Sequence, residues 1–268
     1  STGHHRVNDE GKVPERHKVK ISLCVYGSIG YDLLSYCTKQ DRQIEFVVVK
    51  EKDPWSEKIV KECEQNHIRY YIVKNINTDH ISSVLKSSSV DLCLLLWWPD
   101  IIKKKLLDSV NIGFINLHPS LLPYNRGMNP YYWSIIDDTP AGVSIHFIDS
   151  EIDGGSLLCQ KTIETSITTT GEQLYKLNKE AIVKLFMDNY QEIINIREVP
   201  GALDVTGHPI HYRKDLEIHS RIDLEKSYTG REIIDIMRAR TFENGESSYF
   251  LYKNKKYFVR IKIEEDKK

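Results

Sequence analysis

Between Val90 and Leu96 the chain reads VDLCLLL, with six of seven positions apolar. A run that short and that apolar has no polar face to turn to water. It belongs in the middle of a parallel sheet, buried on both sides. The runs before it repeat the pattern: Val19 to Tyr26 (VKISLCVY), Ile44 to Val49 (IEFVVV) and Ile68 to Val73 read as strands by their apolar, β-branched content. Helical segments separate them. One runs from Gly27-Ser28-Ile29-Gly30 to about Lys39, one from Pro54 to Gln65 with proline near its start, and one from Thr78 to Lys86 with Thr78 or Asn77 as cap. Strand and helix in alternation predict an α/β fold with a doubly wound, mainly parallel, Rossmann-like sheet.

The stretch from Asn111 to Gly155 carries the chemistry. Ile112, Phe114 and Ile115 form an apolar strand that delivers Asn116 and His118, two residues apart and so on one side of an extended chain. Pro119 removes a backbone donor and ends the strand there. A polar pair at the carboxyl end of a buried strand lies where open α/β sheets bind their ligands. Thirty-five residues after His118 comes Asp153, in the loop Asp149-Ser150-Glu151-Ile152-Asp153-Gly154-Gly155, whose glycines permit a tight turn and close approach to a ligand. An imidazole accepts a proton, a carboxylate orients it, and an amide NH2 donates to a developing oxyanion. No Ser or Cys is adjacent to any of the three, so the set suits direct acyl transfer to an amine without a covalent enzyme intermediate.

Composition narrows the partners. The chain has 268 residues, 40% hydrophobic and 28% charged, as in an ordinary soluble globular protein. Its net charge of −1 gives no electrostatic reason to bind nucleic acid or a membrane surface. The five cysteines, Cys24, Cys37, Cys63, Cys93 and Cys159, form no CxxC pair, and an odd number is awkward for a disulfide framework. A reducing, cytoplasmic setting is expected, with no metal, no secretory signal and no membrane span.

Asn116-Leu117-His118-Pro119-Ser120-Leu121-Leu122-Pro123, followed by Ile152-Asp153-Gly154-Gly155, resembles the signature of the folate-dependent formyltransferases. That family includes the glycinamide ribonucleotide, methionyl-tRNA and sugar N-formyltransferases. The continuations Tyr124 to Trp133 (YNRGMNPYYW) and Thr139 to Asp149 (TPAGVSIHFID) most resemble the sugar branch. The resemblance covers roughly residues 19 to 263. It implies catalytic roles for Asn116, His118 and Asp153 and N10-formyltetrahydrofolate as donor. It also implies a nucleotide-linked amino dideoxysugar as acceptor, a dTDP-linked 3- or 4-amino sugar foremost. Glycinamide ribonucleotide, methionyl-tRNA or water are the competing acceptors, and a non-catalytic binding module is the reading outside enzymes.

Trp97-Trp98-Pro99-Asp100-Ile101-Ile102 follows the central strand. By resemblance Trp98, Ile101 and Ile102 wall the pterin, joined by Asp149 and Ile152. Tyr124, Arg126, Tyr132 and Trp133 are candidate acceptor contacts. Arg126 either clamps a pyrophosphate bidentately or is a surface arginine, and Tyr132 and Trp133 are either acceptor wall or core. Lys103 to Lys105 read as a solvated helix face. The Gly27 turn either receives an anion at a helix N-terminus, as in glycinamide-type relatives, or is simply tight.

Gly142 to Ile148 alternates as a strand with Val143, Ile145 and Phe147 on one side and His146 turned the other way, in a structural rather than catalytic role. Leu157 to Ile163 is the next strand of the sheet. A long amphipathic helix runs from Thr170 to about Ile194. Gly201 to Lys214 is loop-rich. A helix over Tyr228 to Arg240 with Thr229 as candidate cap precedes two strands, Ser248 to Lys253 and Lys256 to Ile263, joined around Asn254-Lys255. Such a hairpin is marginal alone and must pack on something; in the sugar branch it serves dimers, so a homodimer is expected. The predicted organisation is a disordered tail over 1–18, a catalytic domain over 19–200 and a C-terminal extension over 201–268.

Overall fold

The computed structural model describes residues 18–40, 42–245 and 247–266. The expected tail, Lys18 apart, lies outside the described residues. Five parallel strands form the first part of the sheet: β1 (Ile21–Val25), β2 (Ile44–Lys50), β3 (Tyr70–Val73), β4 (Leu92–Leu96) and β5 (Gly113–His118). Between them run α1 (Gly27–Cys37), α2 (Ser56–Gln65), α3 (Asp79–Ser87) and the short α4 (Lys104–Leu107). The chain then makes a two-residue strand β6 (Arg126–Gly127) and α5 (Pro130–Ile136), and returns as β7 (Ala141–Phe147) and β8 (Leu157–Ile163).

The seven-stranded sheet has the order β3-β2-β1-β4-β5-β7-β8, with β7 and β8 antiparallel. This is the mainly parallel, doubly wound sheet that the alternation predicts. β4 lies near the middle and all five of its residues are buried, as its apolar run requires. Two apolar layers cover the faces. Leu23, Val25, Leu94 and Leu96 pack with Ile182 and Phe186 of α6 (Gly171–Ile193) on one side. Cys24, Cys93, Leu95 and Phe114 pack with Ile81 and Leu85 of α3 on the other.

Local signals held where side chains act on their own backbone. Thr78 caps α3 by accepting from Ile81 N, and Thr170 and Thr229 each open a helix with a full capping box, worth about 1 kcal/mol apiece. The remainder is β9 (Ile210–His211), α7 (Arg213–His219), α8 (Gly230–Ala239) and the hairpin β10 (Ser248–Tyr252) with β11 (Lys255–Val259). Two details differ from expectation. The loop-rich segment before residue 214 leads straight into α7, because β9 pairs in parallel with β6 and delivers the chain to it. The hairpin turns at Lys253-Asn254, one residue early, with φ of 48° and 61°. Two successive positive φ values are the twist that a two-residue hairpin needs.

Leu216 and Ala239 of the carboxyl-terminal part share a core cluster with Tyr131, Tyr132, Trp133 and Leu174. Among the described residues no helix is long and apolar enough to cross a membrane. All five cysteines are free thiols.

Candidate active site

β5 ends at His118 because Pro119 follows. Asn178 Nδ2 donates to the Pro119 carbonyl at 2.9 Å. Ser144 Oγ donates to Ser120 O at 2.7 Å and accepts from Leu122 N at 3.0 Å. These bonds hold the chain where it leaves the sheet, and with it the His118 backbone. Asn116 and His118 line a cleft of about 480 Å³ together with Asp153. His118 Nδ1 stands 3.6 Å from Asp153 Oδ2. His118 Nε2 is buried without a hydrogen-bond partner among the described residues. Ser120, two residues past His118, has a buried hydroxyl that donates to Tyr124 O at 2.8 Å.

The loop 149–155 is built differently from expectation. Its left-handed position is Asp153 itself, φ 49°, and neither Gly154 nor Gly155 has a positive φ. A Cβ on Gly155 would strike the Phe147 carbonyl, so the close approach that this glycine allows is to β7, not to a ligand. Gly127 is the glycine that matters to the carboxylate. At φ 86° it donates its amide to Asp153 Oδ2 at 2.8 Å, and a Cβ there would collide with the His211 carbonyl.

All five residues assigned to a donor pocket, Trp98, Ile101, Ile102, Asp149 and Ile152, line the same cleft. Ile101 is 70% exposed there, whereas Trp98 and Ile102 are buried. Lys50 lies over the Trp98 ring and pairs with Asp100. Of the adjoining lysines, Lys104 and Lys105 pair with Asp108 and Asp79 on an exposed face.

The four candidate acceptor residues are not among those lining the cleft. Tyr132 is fully buried, and Trp133 stacks on His211 with ring centroids 4.0 Å apart. Both are core, the bland alternative for an aromatic pair on a short helix. Tyr124 is half-buried and meets His208 edge-on. Arg126 is 2% exposed and engages protein acceptors. Its Nε and Nη2 donate to Ile152 O at 2.9 and 2.7 Å, Nη2 also to Glu151 Oε1 at 2.9 Å, and Nη1 to His208 O at 3.2 Å. Arg126 is thus neither the surface arginine of one alternative nor, with these donors engaged, the open pyrophosphate clamp of the other: it is a buried strut that holds the Asp153 loop.

Met128, Ile210, His211 and Tyr212 also line the cleft, a role the sequence did not assign to them. No periodicity marks them, since β6 and β9 are two residues each and meet across more than eighty positions of chain. His146 turns away from the Val143 side as expected, and that direction leads into the site: its Nε2 is 3.4 Å from Asn116 Nδ2 and 3.8 Å from Asp153 Oδ1. Burial, and after it the neighbouring His118, pushes the His146 imidazole down to about 4.

The Gly27 turn does not present a free anion site. Gly27 N donates to the buried Asp53 Oδ2 at 2.8 Å, and Trp55 N to Asp53 Oδ1 at 3.1 Å. The helix N-terminus already holds a carboxylate from its own chain. Among the described residues no group of His, Cys, Asp and Glu is arranged to hold a metal ion.

A seven-stranded, mainly parallel sheet of this order, with an amide, an imidazole and a carboxylate lining one cleft, is an arrangement suited to acyl transfer. The chain belongs to the formyl transferase family, whose model matches residues 27–189, more than half of the chain. A second model, described as the N-formyltransferase dimerization C-terminal domain, matches residues 215–265. A dTDP-4-amino-4,6-dideoxyglucose formyltransferase of Mycobacterium bovis is 28% identical over 163 residues, which are 60% of this chain and 68% of that protein. The bifunctional polymyxin resistance protein ArnA of Wigglesworthia glossinidia brevipalpis is 32% identical over 164 residues, 59% of this chain but only 25% of ArnA. The crystal structure of a 4-N formyltransferase from Francisella tularensis superposes with a TM-score of 0.74 at 27% identity, covering 92% of this chain and 99% of that one.

Proposed function

We propose that the protein transfers a formyl group from N10-formyltetrahydrofolate to the amine of a nucleotide-linked amino dideoxysugar, a dTDP-linked 3- or 4-amino sugar foremost. The observation that carries this reading is Asn116, His118 and Asp153 lining one cleft beside an apolar wall. The wall suits a flat heterocycle: Trp98, Ile102 and Ile152 are apolar, and the buried Trp98 Nε1 has no partner among the described residues. The donor supplies an activated formyl group there. Met128, His211 and Tyr212 line the same cleft and are the groups offered to the acceptor.

The roles follow from the chemistry. As the sugar amine bonds to the formyl carbon, Asn116 Nδ2 donates to the oxygen that gains charge. His118 Nε2 takes the amine proton, and Asp153, facing Nδ1, steadies the cation that results. The bond from that carbon to the folate nitrogen breaks, and the proton on His118 passes to the departing nitrogen. One oxyanion donor is worth roughly 100- to 1000-fold in rate, and a general base about 100- to 10,000-fold.

Two observations favour a sugar acceptor over the others. The Asp53 carboxylate occupies the turn where glycinamide-type relatives hold a phosphate. A net charge of −1 supplies no bulk attraction for the phosphates of a transfer RNA. The catalytic part is taken as 19–200 and the extension as 201–268, with the hairpin joining two copies into a homodimer. Tyr252, Leu251, Tyr257 and Phe258 are all more than 40% exposed on it, as an uncovered interface would be.

The test is a formylation assay across dTDP-, UDP- and GDP-linked amino sugars, read as the mass increase of the product. A formylated sugar from the wild type, and none from His118→Asn with sugar binding intact, is the expected result. Formate release at full rate without any acceptor, and no formylated sugar, would overturn the proposal.

A further inference from the structure

Asn116 and His146 are partners in the antiparallel register of β5 and β7. Asn116 Nδ2 lies 3.4 Å from His146 Nε2. On the far side of the ring, His146 Nδ1 is 2.8 Å from the Phe147 carbonyl oxygen. A carbonyl only accepts, so Nδ1 carries the hydrogen, and in the neutral ring Nε2 is then a lone pair. The ring stays neutral in ordinary buffers because it is 1% exposed, and burial disfavours its charged form down to about 4. Asp153 Oδ1, at 3.8 Å, is out of hydrogen-bond reach of Nε2.

An asparagine amide is nearly symmetric in shape, so sterics alone do not decide which end points where. A neighbour must decide, and among the described residues His146 is the one hydrogen-bond partner of this amide. A lone pair at Nε2 accepts N–H and repels a carbonyl oxygen. We infer that His146 is a positioning residue whose Nε2 fixes the Asn116 amide with its NH2 group at the reaction centre. One hydrogen of that group goes to His146 and the other is left for the formyl oxygen. The flipped amide would set an oxygen against a developing negative charge, and stabilisation would become repulsion. The consequence for rate rests on the formyl-transfer reading above, whereas the tautomer does not.

The experiment has two arms. In the first, 15N-histidine NMR of the wild-type protein near neutral pH reads the ring directly. Protonated Nδ1 with unprotonated Nε2 is expected; a hydrogen on Nε2, in either a neutral or a charged ring, overturns the assignment without any turnover being measured. In the second, His146→Leu and His146→Gln are compared in wild-type and Asn116→Ala backgrounds, each checked for its melting temperature. His146→Leu should lower kcat about 10- to 1000-fold, up to the worth of one oxyanion donor, with KM for both substrates little changed. His146→Gln, whose side-chain oxygen can accept from Asn116, should recover a large part of it. With Asn116 already alanine, His146→Leu should cost less than about two-fold, because the two act as a unit. An equal loss in both backgrounds would mean that His146 merely supports the fold. If the wild type formylates no amine at all, the reaction assignment fails while the NMR arm still decides the tautomer.

Discussion

The backbone amide of Gly127 donates to Asp153 Oδ2 at 2.8 Å, and that same oxygen stands 3.6 Å from His118 Nδ1. The carboxylate is thereby aimed by a strand of two residues that lies 26 positions earlier in the chain. An Asp153→Asn variant keeps the size and loses the charge that steadies a protonated His118. Its kcat should fall about 100- to 10,000-fold with the melting temperature close to wild type. Steady-state kinetics beside thermal unfolding checks both halves.

Arg126 is read as a strut. Replacing it with methionine leaves the carbonyls of Ile152 and His208 without a buried donor, at about 1–3 kcal/mol for each such group. Arg126→Met should lower the melting temperature and kcat together. A pyrophosphate clamp would instead raise KM for the sugar nucleotide and leave stability alone. Urea unfolding and a KM series for the acceptor separate the two.

Stability should depend on His146 at acid pH. The unfolded chain protonates this imidazole near its ordinary 6.5, while the folded protein resists until about 4. Between those values the unfolded state binds more protons, so stability is present above 6.5 and is lost as pH falls toward 4. The loss amounts to about 3 kcal/mol at most. In thermal melts across this range the wild type should lose stability relative to His146→Gln as the pH drops, because the glutamine does not titrate.

Ile101 is 70% exposed in the cleft, beside the wall proposed for the donor. Its truncation to alanine should raise KM for the folate donor about ten-fold, the worth of one to two buried methylene-sized groups. KM for the sugar and the melting temperature should stay near wild type. Initial-rate measurements with each substrate varied in turn decide it.

The hairpin should hold the dimer. Leu251 and Phe258 are 44% and 45% exposed on adjacent strands, and glutamate at both would place charge in an apolar interface. Sedimentation of Leu251→Glu/Phe258→Glu should show a monomer where the wild type shows a dimer.

What the sequence settled by itself was the periodic strands and the helix starts, though not the loop 149–155, the hairpin turn or α7. The apolar runs located β1 to β5, and Thr78, Thr170 and Thr229 located helix starts through hydrogen bonds to their own backbone. Asn116 and His118 lie on one strand, so extended geometry alone placed them together, and the loop signature supplied Asp153. Only the tertiary structure decided the rest. His146 reaches Asn116 through an antiparallel register that no single strand encodes. Arg126 and Gly127 brace the Asp153 loop, and β9 adds Ile210 and His211 to the cleft lining, through contacts between distant segments of chain. A side chain's role there depends on what packs beside it: a buried guanidinium must satisfy its donors with whatever acceptors are near, and those acceptors exist only once the chain has closed on itself.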